Sequence, residues 1–263
     1  MKSTSILTFA ASLLVAGQLF AGTTVVNSGA SPTVTTTTDN DWYFTLGVYS
    51  WGAGLNGDIG AGGFTAPVDI SFSEILDTLD MTAMGLIEFG KGRWFFQFEG
   101  LYLQNGARGL SSGPGGIVQV SSKLTARTTR LTPVIGYRIV DNECTKFDIL
   151  AGGTYYDISN ELQIFDRRYL KVKSAEQWMD PMVGFRLNQR LSERWHFQAR
   201  ADVGGFGAAS KISWQALGLF GYDITDSTAL FAGYRHTAVD FQKGGFLYDV
   251  SSSGPILGLT VTW

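Results

Sequence analysis

The last nine residues, Pro255-Ile-Leu-Gly-Leu-Thr-Val-Thr-Trp263, constrain the fold more than any other stretch. Successive side chains of an extended strand point to opposite faces. Leu257, Leu259, Val261 and Trp263 therefore share one side, and Gly258, Thr260 and Thr262 the other. Large apolar groups ending on an aromatic, backed by small polar ones, suit a strand with hydrocarbon outside and a polar lumen inside. If so, every earlier segment should be another alternating strand.

Composition agrees with many short strands and turns. The chain of 263 residues has 33 Gly, 13% aromatic and only 16% charged residues, so its aromatics would form interfacial girdles and not one compact core. A net charge of -3 gives no reason to expect a nucleic-acid partner. No apolar run after the N-terminus reaches the roughly 18 residues of a spanning helix. At the N-terminus, Lys2, the apolar run Ile6 to Phe20 and the Leu19-Phe20-Ala21 cleavage site read as a signal peptide over residues 1–21. Gly22 to Asp41 lacks any period and reads as a flexible leader, which leaves 42–263 as the barrel domain. Cys144 is the one cysteine, in a turn, so no intramolecular disulfide is available.

Trp42 to Trp51 is the first strand, with Trp42, Phe44, Leu46 and Val48 outward and Tyr43, Thr45, Gly47 and Tyr49 inward. Gly52 to Asp80 is then an external loop, and within it Ser71-Phe-Ser-Glu74 has the form of a capping box before a short amphipathic helix. Met81–Gly90 and Arg93–Gln104 flank a tight turn, and Asn105–Gly116 is the second external loop. Strands follow at Ile117–Val140, Phe147–Phe165, Met179–Leu187, Trp195–Phe206, Lys211–Ile224 and Thr228–Gln242. Asp166–Gln177 is read as the third external loop, and Gly244-Gly245 as the start of the last one before the tenth strand. The expected fold is an all-β, antiparallel, up-and-down transmembrane barrel of ten strands, with eight as the alternative.

Alternation assigns a charged lining. Glu88, Gln97, Glu99, Arg138, Arg186, Arg200, Asp202 and Arg235 fall on inward faces, and charges of both signs should close a narrow bore by pairing. A narrow porin-like channel is the competing reading. Arg167, Arg168, Lys171 and Lys173, in the third external loop, are candidate contacts for lipopolysaccharide phosphates. Gly52-Ala-Gly-Leu-Asn-Gly57 has dinucleotide-fingerprint spacing without the helix that would hold a pyrophosphate, so it reads as loop. No His and Cys pair has metal-ligand spacing, and neither a cofactor nor a catalytic residue is assigned.

At Pro67-Val-Asp-Ile-Ser-Phe-Ser-Glu-Ile-Leu-Asp77, Ala201-Asp-Val-Gly-Gly-Phe-Gly207, Ser213-Trp-Gln-Ala216 and Gly233-Tyr-Arg235 the chain resembles a family of uncharacterised proteobacterial outer-membrane barrels. More distantly it is similar to the small barrels of the outer-membrane protein A type. Leu259, Val261 and Trp263 likewise resemble the terminal signal of proteins inserted by the barrel-assembly machinery. The resemblance implies an outer-membrane location and a barrel fold, and with the signal peptide and the basic loop it leads to the expectation of export to the outer membrane of a Gram-negative cell, contact with its lipid and lipopolysaccharide, and a monomer. It implies no activity, substrate or catalytic residue. Rim enzymes such as omptin-type proteases and lipid A deacylases use a His with an acid or a Ser. His236, with Asp240 four residues on and on the same face, is thus the residue on which a hydrolase reading would rest.

Overall fold

The computed structural model describes residues 41–61, 64–112, 119–165 and 169–263. The signal peptide and all of the leader but Asp41 lie outside these residues, as do Arg167 and Arg168. Among the described residues are twelve strands and one short helix, α1 (Phe72–Thr78). The strands are β1 (Trp42–Trp51), β2 (Gly54–Ala61), β3 (Phe64–Ile70), β4 (Leu79–Lys91), β5 (Trp94–Ser112) and β6 (Gln119–Asp141). They continue as β7 (Thr145–Phe165), β8 (Tyr169–Arg190), β9 (Trp195–Gly204), β10 (Ile212–Asp223), β11 (Thr228–Lys243) and β12 (Phe246–Thr262).

Ten of them close a ring in sequence order, β1 followed by β4 to β12. The closure is the antiparallel pairing of β12 with β1, from Thr45↔Thr262 to Trp51↔Ile256. It is finished by two bonds, from the Phe44 amide to the Trp263 carbonyl at 3.0 Å and from the Trp263 amide to the Phe44 carbonyl at 2.9 Å. A closed ring leaves no sheet edge along the membrane-spanning part, so every backbone group there finds a partner within the protein. β2 and β3 stand outside the ring. Above the end of β1, β12 offers its edge to β2 from Ser253↔Gly54 to Leu247↔Gly60, and β2 pairs on with β3.

The outer face follows the alternation. On β1, Trp42 is 67% exposed and Phe44, Leu46 and Val48 also face out, while Tyr49 is buried in the bore. On β12 Leu257 is exposed and Gly258 buried, and Trp263, just past its end, is exposed. At the end of the ring with the short turns, exposed tryptophans ride on neighbours: Trp94 on Tyr137 at 4.7 Å, Trp195 on Tyr222 at 5.0 Å and Phe44 on Trp263 at 5.7 Å. Above this aromatic belt lie Ile87, Phe96, Ile149, Phe185 and Phe220, all exposed. In water such a surface would be a large apolar patch; it has the form of a lipid-facing band.

Several loops are shorter than alternation alone suggests. Asn105 to Ser112, read as loop, continues β5 because β6 supplies partners from Asn105↔Ala126 to Ser112↔Gln119. Tyr169 to Gln177 likewise belongs to β8 and pairs with β7 as far as Phe165↔Tyr169. Gly52-Ala-Gly-Leu-Asn-Gly57 runs into β2 and is not loop, and the segment from Gly52 to Asp80 holds a hairpin as well as α1. Gly244-Gly245 is a tight turn and not the start of a long loop, since both residues have positive φ (57° and 84°), the geometry of a two-residue hairpin. The common reason is that backbone pairing between neighbours does not require an apolar face, so hairpins extend above the membrane on sequences rich in Gly, Ser and charge.

Candidate functional site

The inward positions of nine strands, β1 and β4 to β11, build one polar network through the bore. At the turn end Arg138 (β6) donates from Nε to Asp148 Oδ1 (β7) at 2.9 Å, and Arg186 (β8) donates from Nε to Asp148 Oδ2 at 2.9 Å. Asp148 is fully buried and shared by both guanidiniums. Arg186 also reaches across to Glu88 (β4), at 2.5 Å through Nη1 and 3.3 Å through Nη2. A register shift between Arg138 and Val140 turns Asp141 back inward, where it lies 3.9 Å from Arg138 and 3.9 Å from Lys146. Three cations thus meet three carboxylates in this layer.

Gln97 (β5) joins this layer to the next. Its amide nitrogen donates to Glu88 Oε2 at 3.0 Å, and its oxygen accepts Arg200 Nη1 (β9) at 2.5 Å. Arg200 pairs with Asp202 through Nε at 3.0 Å; Gln215 (β10) donates to Asp202 and accepts from Arg235 (β11) at 2.5 Å through Nη2. Arg235, only 2% exposed, then forks onto Glu99 (β5) at 2.5 and 3.3 Å. Glu99 also accepts from Tyr49 and lies 3.7 Å from Arg130.

All eight residues assigned to the lumen by alternation are buried, and these contacts bring them together. Tyr49, read as inward, joins the network, and Asp148, Arg130 and Gln215 complete it without having been singled out: Asp148 lies in register with Arg138 and Arg186, Gln215 with Asp202, and Arg130 is in phase with Arg138 on β6. The requirement behind the arrangement is electrostatic. Removing one partner of a buried ion pair costs roughly 3–5 kcal/mol, because the other charge is left stranded. Packing supports the network too. The Arg186 guanidinium lies 4.2 Å from the Phe95 ring centroid, and that ring fills the space that a Cβ on Gly136 would occupy.

Cavities lie on either side of the network. One of about 120 Å³, toward the turn end, is lined by Tyr43, Lys146, Asn188, His196 and Gln198 among others. One of about 550 Å³ lies at the other end, under β2, β3 and α1, and carbon-rich side chains dominate its wall.

The other singled-out residues are scattered. His196 is buried at the turn end, its Nδ1 3.4 Å from Asp223. His236 lies on the outer face of β11, its ring 4.7 Å from Trp214 and its Nδ1 2.5 Å from Ser253 Oγ on β12. Asp240 is not its partner: it pairs with Lys211 at 3.0 Å. The Ser253 contact follows from the β11–β12 register, which the two-residue Gly244-Gly245 turn sets and which reading those glycines as the start of a long loop hid. Of the basic residues near the β7–β8 turn, Lys171 lies on β8 and Lys173 is exposed there. Exposed Cys144 occupies the turn after β6.

Among solved structures, the outer-membrane protease OmpT of Escherichia coli superposes with a TM-score of 0.56 at 11% identity, covering 87% of this chain and 100% of that one. The fold is that of an outer-membrane β-barrel. The translocator domain of the autotransporter NalP from Neisseria meningitidis matches at a TM-score of 0.43 and 10% identity, over 86% of this chain and 90% of that one. Ail, the attachment invasion locus protein of Yersinia pestis, matches at 0.34 and 10%, over 84% and 98%. No protein-family model matches the sequence, and no curated protein matches it.

Proposed function

We propose that the chain is an integral outer-membrane barrel with a structural or surface-displayed role, its bore closed by its own side chains. The observation that carries this reading is the continuous chain of contacts from Arg138 through Gln97 to Glu99, which crosses from β4 and β5 to β8–β11. Small barrels fill their interior in this way, and an aqueous channel opens only at larger strand numbers. Export to the outer membrane, insertion by the assembly machinery and a monomeric state belong to the same proposal. The exposed belt of Trp42, Trp94, Trp195 and Trp263 supports a membrane setting. Planar-bilayer recording tests it: many insertions of the native protein should stay silent, and removing both Arg186 and Arg235 side chains should produce conductance. Steady conductance from the native protein would favour the narrow channel instead.

A second reading, a hydrolase at the rim, is favoured by one contact, the 2.5 Å approach of His236 Nδ1 to Ser253 Oγ. In such a pair the imidazole takes the hydroxyl proton as the oxygen attacks an ester or amide carbonyl. Loss of ester hydrolysis in Ser253→Ala, with folding intact, is its signature; unchanged hydrolysis removes the reading.

A further inference from the structure

The cavity of about 550 Å³ above the charge network has the size of a small-molecule site, roughly 300–1,000 Å³, and its lining is divided by chemistry. Its barrel wall is built from inward residues such as Leu101, Leu103, Tyr156, Ile158, Val239 and Val250. Its cover is equally apolar, with Leu55, Ile59 and Val68 from the β2–β3 hairpin and Ile75 from α1. At its floor the lining turns polar and cationic. Arg130, 8% exposed, borders the cavity beside Trp51, whose ring also lies 5.2 Å from the Arg235 guanidinium.

The floor is short of acceptors. Glu99 is the carboxylate shared by Arg235 and Arg130; Arg235 takes both of its oxygens, and Arg130 approaches no closer than 3.7 Å. The Nη2 of Arg130 has no hydrogen-bond partner among the described residues. The buried carboxylate of Asp180 accepts the Ser210 amide at Oδ1 at 2.8 Å, and although its Oδ2 has no hydrogen-bond partner among the described residues, Asp180 does not line the cavity. A buried guanidinium with an unmet donor, at the closed end of an apolar chamber, is matched by an anion carrying a hydrocarbon tail.

We propose that this chamber binds a long-chain monocarboxylate, its head on Arg130 and its tail among the apolar wall and cover. The ion-paired network beneath it makes the chamber blind, so the site holds its ligand and does not conduct it. This goes beyond a purely structural role and does not depend on which side of the membrane the chamber faces.

The test uses the folded full-length barrel in lipid nanodiscs, with empty discs as the partition control and free aqueous ligand as the reference. Decanoate, dodecanoate and tetradecanoate should displace a fluorescent fatty acid at one site per barrel, each added methylene tightening binding about fourfold. Arg130→Gln leaves Glu99 paired with Arg235; it should weaken dodecanoate at least tenfold and leave dodecanol unchanged. Leu103→Trp, which narrows the chamber but keeps the cation, should shift the preference to the shorter chain. Uptake no greater than in empty discs overturns the proposal. So does an equal effect of Arg130→Gln on acid and alcohol, or selective binding of dodecyl phosphate with no binding of dodecanoate.

Discussion

Gln97 carries the charge network across the middle of the bore with a single amide, donating to Glu88 and accepting from Arg200. At this scale the worth of a charge depends on its surroundings. Arg186→Met leaves Glu88 buried without a cation and Asp148 with Arg138 alone, and we expect a loss of roughly 3–5 kcal/mol in reversible unfolding from lipid vesicles. Lys211→Ala removes an ion pair of 3.0 Å, but the Lys211 side chain is mostly solvated, so the loss should stay below about 1 kcal/mol. Gly136→Val should cost about 1–3 kcal/mol by driving the Phe95 ring from its seat, and with it the Arg186 stack. If Arg186→Met and Lys211→Ala prove equally mild, the network does not hold the bore. Inward character was legible where polar and apolar residues alternate cleanly, as at Gln97 and Glu99 on β5, Arg186 and Asn188 on β8, and Gln198, Arg200 and Asp202 on β9. Which of them touch was not, because contacts such as Arg235 to Glu99 join residues 136 apart and depend on how the ring closes.

Strand existence was legible from alternation at the element scale, and strand length was not. β6 and β7 have 23 and 21 residues, well beyond the roughly 9–11 that cross hydrocarbon, and their outer halves are held by pairing with one another. The helix was legible from its cap. Ser71 donates its amide and hydroxyl to Glu74 at 2.8 and 2.7 Å, and these bonds hold the Glu74 carboxyl below its usual pKa. A depressed carboxyl stabilises the helix above the unfolded pKa, near 4.3, and that contribution is lost as pH falls through the lower folded value. Ser71→Ala should therefore speed amide exchange across α1 about fivefold at neutral pH, consistent with a typical capping loss. The difference from the native protein should shrink under acid, and exchange in β9–β11 should not change. Uniform acceleration through the ring would show that α1 is not a separately held cover. The β2–β3 hairpin had no comparable signal, because it exists only where β12 outlasts β1 and offers an edge.

Across the whole molecule the two faces of one sheet meet opposite solvents. Ile149 is exposed on the band while Asp148 and Leu150, its neighbours in sequence, are buried in the bore. Ile149→Arg should destabilise the barrel in a bilayer, since a cation on a lipid-facing strand costs up to about 2–4 kcal/mol. The most direct measurement is a scan of single labels along β12, in a Cys144→Ser background, from Pro255 to Thr262, with fluorescence quenched by nitroxides on lipid tails. Labels at 255, 257, 259 and 261 should be strongly quenched, and those at 256, 258, 260 and 262 protected. Equal quenching at both parities, or quenching of all eight by a water-soluble agent alone, would contradict a closed ring that faces hydrocarbon on one side and its own charges on the other.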